Sequence, residues 1–287
     1  MLPHPELDFR RTPVTLLIAA VAVAIELVCT FDPARRDVYY SVWKLGILST
    51  VWSGELWRPF TTTLLHDEVF RTSLIHAAFN VYWLVTFGRA LEPYFRPFRY
   101  FLVLVVLAFC ATMPSFLASN WDTPLDKQHG TVGLSGVIYG LFGILWMGGR
   151  YRQDFRSVCN AETVQFFIAW FLFAIVLALF GEPVDNVAHG AGGLVGILFG
   201  KALFGPDRKW MWRSTSALIT LVLLSLGFAA PGHPLYEKHC ELQAYRRAIR
   251  ESQVRIQIRP KEPDPADQPP AQTGEDPSHD GDTAPSP

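Results

Sequence analysis

The sequence is poor in charge and has no paired cysteines. Of its 287 residues 18% are charged, below the roughly one quarter of a typical soluble domain, whereas 50% are hydrophobic and 14% aromatic. The net charge is -1, so the chain lacks the excess of basic residues that is typical of a nucleic-acid-binding protein. The cysteines show neither a CxxC pair nor metal-ligand spacing, so we interpret them as small apolar residues: Cys29, Cys110, Cys159 and Cys240.

Long apolar runs are what the sequence has instead. Seven segments approach the roughly 20 apolar residues that a helix needs to cross a bilayer. The pattern predicts an all-α polytopic membrane protein embedded in the lipid bilayer. The segments cover approximately residues 14–30, 74–91, 100–118, 132–149, 164–181, 186–204 and 216–230.

The first connection, about residues 31–73, is too long to be a simple connector. It is rich in aromatic residues that prefer the bilayer interface, so we expect an ordered and partly membrane-embedded element. These residues are Tyr39, Tyr40, Trp43, Trp52 and Trp57.

The rest of the domain organisation follows from changes in composition. Residues 1–13 form an N-terminal segment, and residues 14–230 form the membrane domain. The charge pattern of 231–258 allows a basic amphipathic helix. Pro, Asp, Gly and Ser dominate 259–287, which predicts a disordered tail.

Basic residues in the short connections predict the orientation. Lys and Arg are frequent in the N-terminal segment and after segments two, four and six, whereas the connection after segment three has only Lys127 and that after segment five has none. The positive-inside rule therefore predicts a cytoplasmic N-terminus in a plasma or bacterial inner membrane. The first loop also carries basic residues, but long loops translocate regardless of their charge.

Three segments carry polar groups close to their N-terminal ends. The second has His76 and Asn80, the fourth has Ser135, and the sixth has His189. These segments run in the same direction because one antiparallel helix separates each pair. The side chains therefore share a shallow depth near the outer face, and such groups inside a membrane are functional candidates.

The residue types suit nucleophilic catalysis. A serine hydroxyl is activated when a neutral histidine takes its proton. Ser135 lies at a helix start, where unpaired N–H groups favour negative charge. His76 and Asn80, four residues apart, share a helix face and could donate to an oxyanion. Tyr139, four residues after Ser135, could pack its ring on the imidazole.

Each of these residues also has an ordinary structural interpretation. Ser135 alone would be a packing residue among glycines, Asn80 an interhelical hydrogen bonder and Tyr139 a core residue. Either histidine could be a proton relay. Two glycine series predict that segments four and six pack backbone to backbone, which would bring Ser135 towards His189: Gly136, Gly140 and Gly143, and Gly192, Gly196 and Gly200.

Five motifs in order resemble the rhomboid family of intramembrane serine proteases. Gly-Leu-Ser-Gly at 133–136 is similar to its GxSG motif, 188–196 to its AHxxGxxxG helix, and 76–80 to its HxxxN helix. Trp57-Arg58 and Glu92 with Arg99-Tyr100 match two further elements. The motifs cover about 55–200, and the helix count extends the likeness over about 14–230.

The resemblance implies a six-helix bundle plus a C-terminal seventh helix. It also implies a Ser135–His189 dyad, without a catalytic aspartate, metal or cofactor, that cleaves single-pass transmembrane or membrane-anchored proteins near the outer face. His76, Asn80 and the backbone at Gly133 and Ser135 would form the oxyanion hole, and Tyr139 would support His189.

Asp185, four residues before His189, is interpreted as a helix N-cap rather than a third catalytic residue. Arg96 stands where the family often has glycine, so the local turn departs from the pattern.

Two other functions remain as alternatives. One is a catalytically silent rhomboid-like protein that binds membrane clients; such relatives typically lack the serine or the histidine, and this chain has both. The other is a proton-coupled transporter that uses His76 and His189 as relays. A transporter would predict inverted repeats or paired broken helices, and the sequence shows neither.

Overall fold

The computed structural model describes residues 10–46, 51, 54–67, 73–120, 130, 132–182, 184–227 and 244–251. Within these residues all regular structure is helical. The helices are α1 (Pro13–Phe31), α2 (Pro33–Trp43), α3 (Arg58–Thr61), α4 (Ser73–Phe95), α5 (Pro97–Ser119), α6 (Ser135–Gly148), α7 (Gln153–Val158), α8 (Ala161–Leu179), α9 (Asn186–Phe204) and α10 (Lys209–Gly227), with a 3-10 turn at Thr62–Leu64 after α3.

Each of the seven predicted segments contains a helix, and the all-α fold class is confirmed. Four of the described helices, α1, α5, α8 and α9, are long and apolar enough to cross a membrane, and α6 is a shorter apolar helix. Segments two and seven are the helices α4 and α10, which are not among those four, so their full spans stay predictions.

The chain divides into two compact units, residues 1–244 and 245–287. Residues 244–251 are helical, within the segment predicted to form a basic amphipathic helix. The predicted tail at 259–287, Trp52 and Cys240 lie outside the described residues. The proposed division at 13, 230 and 258 stays a prediction.

Helix α6 lies at the centre of the bundle. Twelve of its fourteen residues are buried. Its glycines face those of α9 so closely that a Cβ on Gly192 or Gly196 would lie 2.0 Å from the carbonyl oxygen of Gly136 or Gly140. Only glycine permits this approach, which confirms the predicted backbone-to-backbone packing.

The start of α1 is held by a carboxylate from the far end of α4. Glu92 is fully buried, and its oxygens accept hydrogen bonds from the backbone N–H groups of Val14 and Thr15, each at 2.8 Å, and from the Thr15 hydroxyl at 2.6 Å. The first N–H groups of a helix lack intrahelical acceptors and lie at its positive end. The Glu92 carboxylate therefore both accepts from these N–H groups and places negative charge at the positive end of α1.

Arg96, which stands where the family often has glycine, lies in the turn between α4 and α5. This residue adopts φ 69° and ψ 153°, a region that favours glycine. The turn thus keeps a glycine-type conformation without a glycine.

The first loop is ordered where it is described. The Arg58 guanidinium donates to the carbonyl oxygens of Ser41 at 2.9 Å and Lys44 at 2.8 Å, and it pairs with Glu55. The Thr61 hydroxyl donates to the carbonyl of Trp43 at 2.9 Å. These bonds fasten the end of α2 to α3. Partial membrane embedding of the loop stays a prediction.

Candidate active site

Ser135 occupies the first position of α6, directly after a glycine turn. Gly133 has φ 120°, a backbone conformation that side-chain-bearing residues rarely adopt. This turn sends the chain into α6 with the Ser135 hydroxyl close to His189 of α9.

The two predicted dyad residues are in hydrogen-bond contact. Ser135 Oγ lies 2.8 Å from His189 Nε2, and the His189 side chain is 4% exposed. A serine that donates to Nε2 requires the neutral tautomer with its proton on Nδ1. The Nδ1 atom has no hydrogen-bond partner among the described residues.

Asp185 does not contact that ring nitrogen. Its carboxylate accepts from the backbone N–H of Ala188 at 2.8 Å and from the Ser115 hydroxyl at 2.5 Å. The first bond is an N-cap of α9, as predicted from the sequence. Among the described residues no carboxylate binds His189 Nδ1.

Tyr139 contacts the imidazole, as its spacing from Ser135 predicts. Its ring stacks on His189 with centroids 4.7 Å apart and an interplanar angle of 27°. The Tyr139 hydroxyl donates to the carbonyl of Phe167 on α8 at 3.1 Å. The stacked ring limits rotation of the imidazole.

His76 and Asn80 lie beside the same pocket. A Cβ on Gly133 would lie 3.3 Å from His76 Nε2 and 3.9 Å from Ser135 Oγ, so these atoms surround one small space. Asn80 is 1% exposed, and its side-chain nitrogen has no hydrogen-bond partner among the described residues. Both side chains are therefore candidate donors.

The two backbone candidates differ. The Gly133 N–H donates to the Thr62 carbonyl over 3.4 Å and is already engaged. Ser135 holds the first helical position, where the N–H has no intrahelical acceptor. The Ser135 N–H is thus the better placed of the two.

His66 is a neighbour of the site that sequence reasoning missed. Its ring meets His76 edge to face with centroids 5.1 Å apart. Burial lowers the pKa of His66 to about 3, so the ring is neutral near pH 7. It lies in the first loop, where no helical period points to it.

A cavity of roughly 110 Å³ reaches Ser135 and His189. Helices α4, α6, α8 and α9 line it, and most of the lining is apolar, including Phe79 and Trp170. Among the described residues no group of three or more His, Cys, Asp or Glu side chains is arranged to hold a metal. The site can supply a nucleophile, a base and donors to developing negative charge.

The long apolar helices indicate a polytopic membrane protein, and the buried contact between Ser135 and His189 supplies a candidate nucleophile. Comparison with known proteins specifies the class. The Rhomboid domain model matches residues 53–206, and the chain belongs to the rhomboid family. It is an integral, multi-pass membrane protein.

Three curated relatives share the name rhomboid protease GlpG. That of Pectobacterium atrosepticum is 30% identical over 187 residues, 65% of this chain and 61% of the relative. That of Photorhabdus laumondii is 27% identical over 186 residues, 65% and 60% of the two chains. That of Yersinia pestis is 25% identical over 203 residues, 69% and 67%. The chain thus spans about three fifths of the length of the first two.

Proposed function

We propose that this chain is an intramembrane serine endopeptidase with Ser135 as nucleophile and His189 as general base. The observation that carries the proposal is the 2.8 Å contact between Ser135 Oγ and His189 Nε2 in a buried, mostly apolar site. The names of the relatives, which are rhomboid proteases, support it.

The reaction proceeds by two acyl transfers. His189 takes the Ser135 proton as the oxygen attacks the scissile carbonyl carbon, and then gives that proton to the leaving amine. The result is an acyl-enzyme and a free amine. Water then attacks the ester, again with His189 as base, and the products are a carboxylate and the regenerated serine.

Three donors stabilise the oxyanion of the tetrahedral intermediates: the side chains of His76 and Asn80 and the backbone N–H of Ser135. His76 and Asn80 line the cavity at Ser135, Ser135 holds the first position of α6, and Gly133 shapes the adjoining turn through its positive φ. Each donor lost from such a site costs on the order of a hundredfold or more in rate. Tyr139 supports the reaction by holding the His189 ring.

The substrates are single-pass transmembrane or membrane-anchored proteins, cut near the outer face of the membrane. A peptide bond in a regular helix is shielded and its carbonyl already hydrogen-bonded, so part of the substrate helix unwinds first. Glycine and proline lower that cost by about 1 and 3 kcal/mol per residue relative to alanine. Replacing Gly-Gly or Pro by Leu in the outer half of a model substrate should slow cleavage; equal or faster cutting would contradict the unwinding step.

The topology that goes with this function has a cytoplasmic N-terminus in a plasma or bacterial inner membrane. The basic connections after segments two, four and six support this orientation. The Ser135–His189 contact supports an enzyme over a silent client-binding protein, which would have no use for an activated serine.

Labelling by a fluorophosphonate probe in detergent tests the assignment, together with cleavage of a single-pass substrate. We expect Ser135→Ala and His189→Ala each to lose activity by roughly a millionfold, with the double variant hardly worse, because the two residues act as a unit. Ser157→Ala is the matched control, since Ser157 is an exposed residue of α7 that donates to the carbonyl of Asp154 on the same helix and is not among the residues that line the cavity at Ser135. Retained cleavage by folded Ser135→Ala would reject the serine mechanism.

A further inference from the structure

We propose that Tyr40 and Asp67 are positioning residues that hold His76 in the orientation it needs as an oxyanion donor. The inference rests on the proposed function, because it gives the first loop a part in the same reaction. It does not follow from the family motifs, none of which includes Tyr40 or Asp67.

The first step is the bond between His76 and the loop. His76 Nδ1 lies 3.1 Å from the backbone carbonyl oxygen of Asp67. A carbonyl only accepts, so Nδ1 must carry the proton. This bond fixes the ring about its last torsion and directs Nε2 to the space bordered by Gly133 and Ser135.

The second step is what holds Asp67. The Tyr40 hydroxyl of α2 lies 2.9 Å from Asp67 Oδ1 and 2.9 Å from the carbonyl oxygen of His66. Its one proton is shared between two acceptors of consecutive residues. Burial raises the pKa of Tyr40 above its ordinary value, so the phenol stays a donor across the physiological range.

Two cations, one in α2 and one directly after it, lie close to the Asp67 carboxylate. The Arg36 guanidinium lies 3.8 Å and the Lys44 ammonium 3.9 Å from its carboxylate oxygens. The same two cations lie over the Tyr40 ring, each 5.3 Å from its centroid. A carboxylate that binds a phenol and two cations keeps its backbone carbonyl in place for His76.

Donation from Nε2 depends on the protonation state of the His76 ring. Because Nδ1 keeps its proton, Nε2 donates to an oxyanion when the ring carries both protons. Burial of the ring opposes that doubly protonated form, whereas the carboxylates of Asp67 and of the buried Glu26 of α1 favour it, and the neighbouring His66 is neutral. The loop therefore contributes the orientation of the ring, through the Asp67 carbonyl that accepts from Nδ1.

The first test compares two adjacent tyrosines. Tyr40→Phe removes the hydroxyl and keeps the ring. We expect kcat to fall about tenfold with KM within about twofold, less than the loss of a whole oxyanion donor. Tyr39→Phe is the matched control, since the Tyr39 hydroxyl has no hydrogen bond in the described part of the chain; it should keep wild-type kcat. Wild-type kcat in Tyr40→Phe would overturn the proposal.

The second test asks whether the effect passes through His76. In a His76→Ala background, followed by long incubations, Tyr40→Phe should cause no further loss, because contacting residues that act together are not additive. A merely structural role would lower activity by the same factor in both backgrounds, and that result would refute positioning.

A third test uses Asp67 and does not depend on His76→Ala. Asp67→Ala should lose about tenfold in kcat, and Asp67→Asn, which keeps an oxygen acceptor for Tyr40, should lie between it and wild type. Full activity of Asp67→Ala would overturn the proposal. Ser135→Ala run in parallel separates the two ideas: if it still cleaves, the proposed function fails, whereas if only it is inactive, the positioning inference alone fails.

Discussion

Helices α6 and α8 are both strongly apolar, yet they occupy opposite environments. Twelve of the fourteen residues of α6 are buried, whereas Phe167 and Ala174 are the buried residues of the nineteen-residue α8. Ser135, the proposed nucleophile, lies on α6, and α8 contributes the Phe167 carbonyl that accepts from the Tyr139 hydroxyl. Apolar composition thus has two uses in a membrane protein: packing against protein and facing lipid.

The side chains explain the difference. The glycines of α6 let its backbone touch that of α9, which fixes the distance from Ser135 to His189. The inward contacts of α8 are made by large aromatic rings, such as Phe166 against Trp83 and Trp170 against Phe79. Backbone contacts tolerate little displacement, whereas ring contacts can rearrange. We therefore expect α8 to be the more easily displaced helix.

The substitution Gly196→Leu should disrupt the contact between α6 and α9 and have the largest effect on activity and stability. Its Cβ would lie 2.0 Å from the carbonyl oxygen of Gly140. We expect loss of substrate cleavage and a fall in the free energy of unfolding, measured by thermal unfolding. The fall should be at least the roughly 1–3 kcal/mol that is typical of overpacking. On α8, Leu172→Ala is the contrasting change at an exposed side chain and should leave both nearly unaltered. Equal losses of activity and stability in the two variants would contradict the proposed difference between α6 and α8.

Truncation of Tyr139 tests a side chain of α6 that contacts both α8 and His189. Tyr139→Ala removes the stacked ring and should cost activity by about a hundredfold, because the imidazole loses its orientation. Tyr139→Phe keeps the ring and loses only the bond to the Phe167 carbonyl, so kcat should fall only a fewfold. Equal losses in the two variants, compared in one cleavage assay, would assign the effect to the hydroxyl.

Removal of the cap on α9 should have a moderate effect. Asp185→Ala leaves the Ala188 N–H without its side-chain acceptor and should cost about 1 kcal/mol of stability, while activity stays within about tenfold of wild type. An orienting catalytic carboxylate would instead cost roughly ten-thousandfold in kcat. A loss of that size at unchanged melting temperature would require a triad.

The smallest change should come from a site away from both helices. Arg96→Gly relieves the positive φ at the turn between α4 and α5 and should raise the unfolding free energy by about 1 kcal/mol. Cleavage should be unchanged. A destabilised Arg96→Gly would mean that the arginine side chain makes contacts that outweigh the strained backbone.

Much of this architecture is predictable because membrane spans have a length and a period that the sequence displays. The segment 186–204 coincides with α9, and the shared helix direction correctly groups Ser135, His189 and His76. The glycine series predicted the close contact of α6 and α9, and Asp185 its cap. In these cases the cause is local or follows from helix geometry.

Other contacts lie beyond such reasoning. The bonds of Glu92 to the start of α1 and of Tyr40 to Asp67 join residues whose separation in sequence is set by loops rather than by any period. Apolarity does not distinguish α6 from α8, because lipid and protein interior reward the same side chains. The positive φ at Arg96 comes from the path of the chain and shows no signal in its residue type.

The bond between Glu92 and α1 has a consequence for the order of assembly during synthesis. The ribosome completes the first helix long before it reaches the acceptor of the Val14 and Thr15 N–H groups, which lies 78 and 77 positions downstream. Until α4 is present, the beginning of α1 must use other partners, such as water or lipid headgroups. The first helix to be made is therefore locked in place only after a later one arrives, and a nascent chain halted before residue 92 should hold α1 loosely.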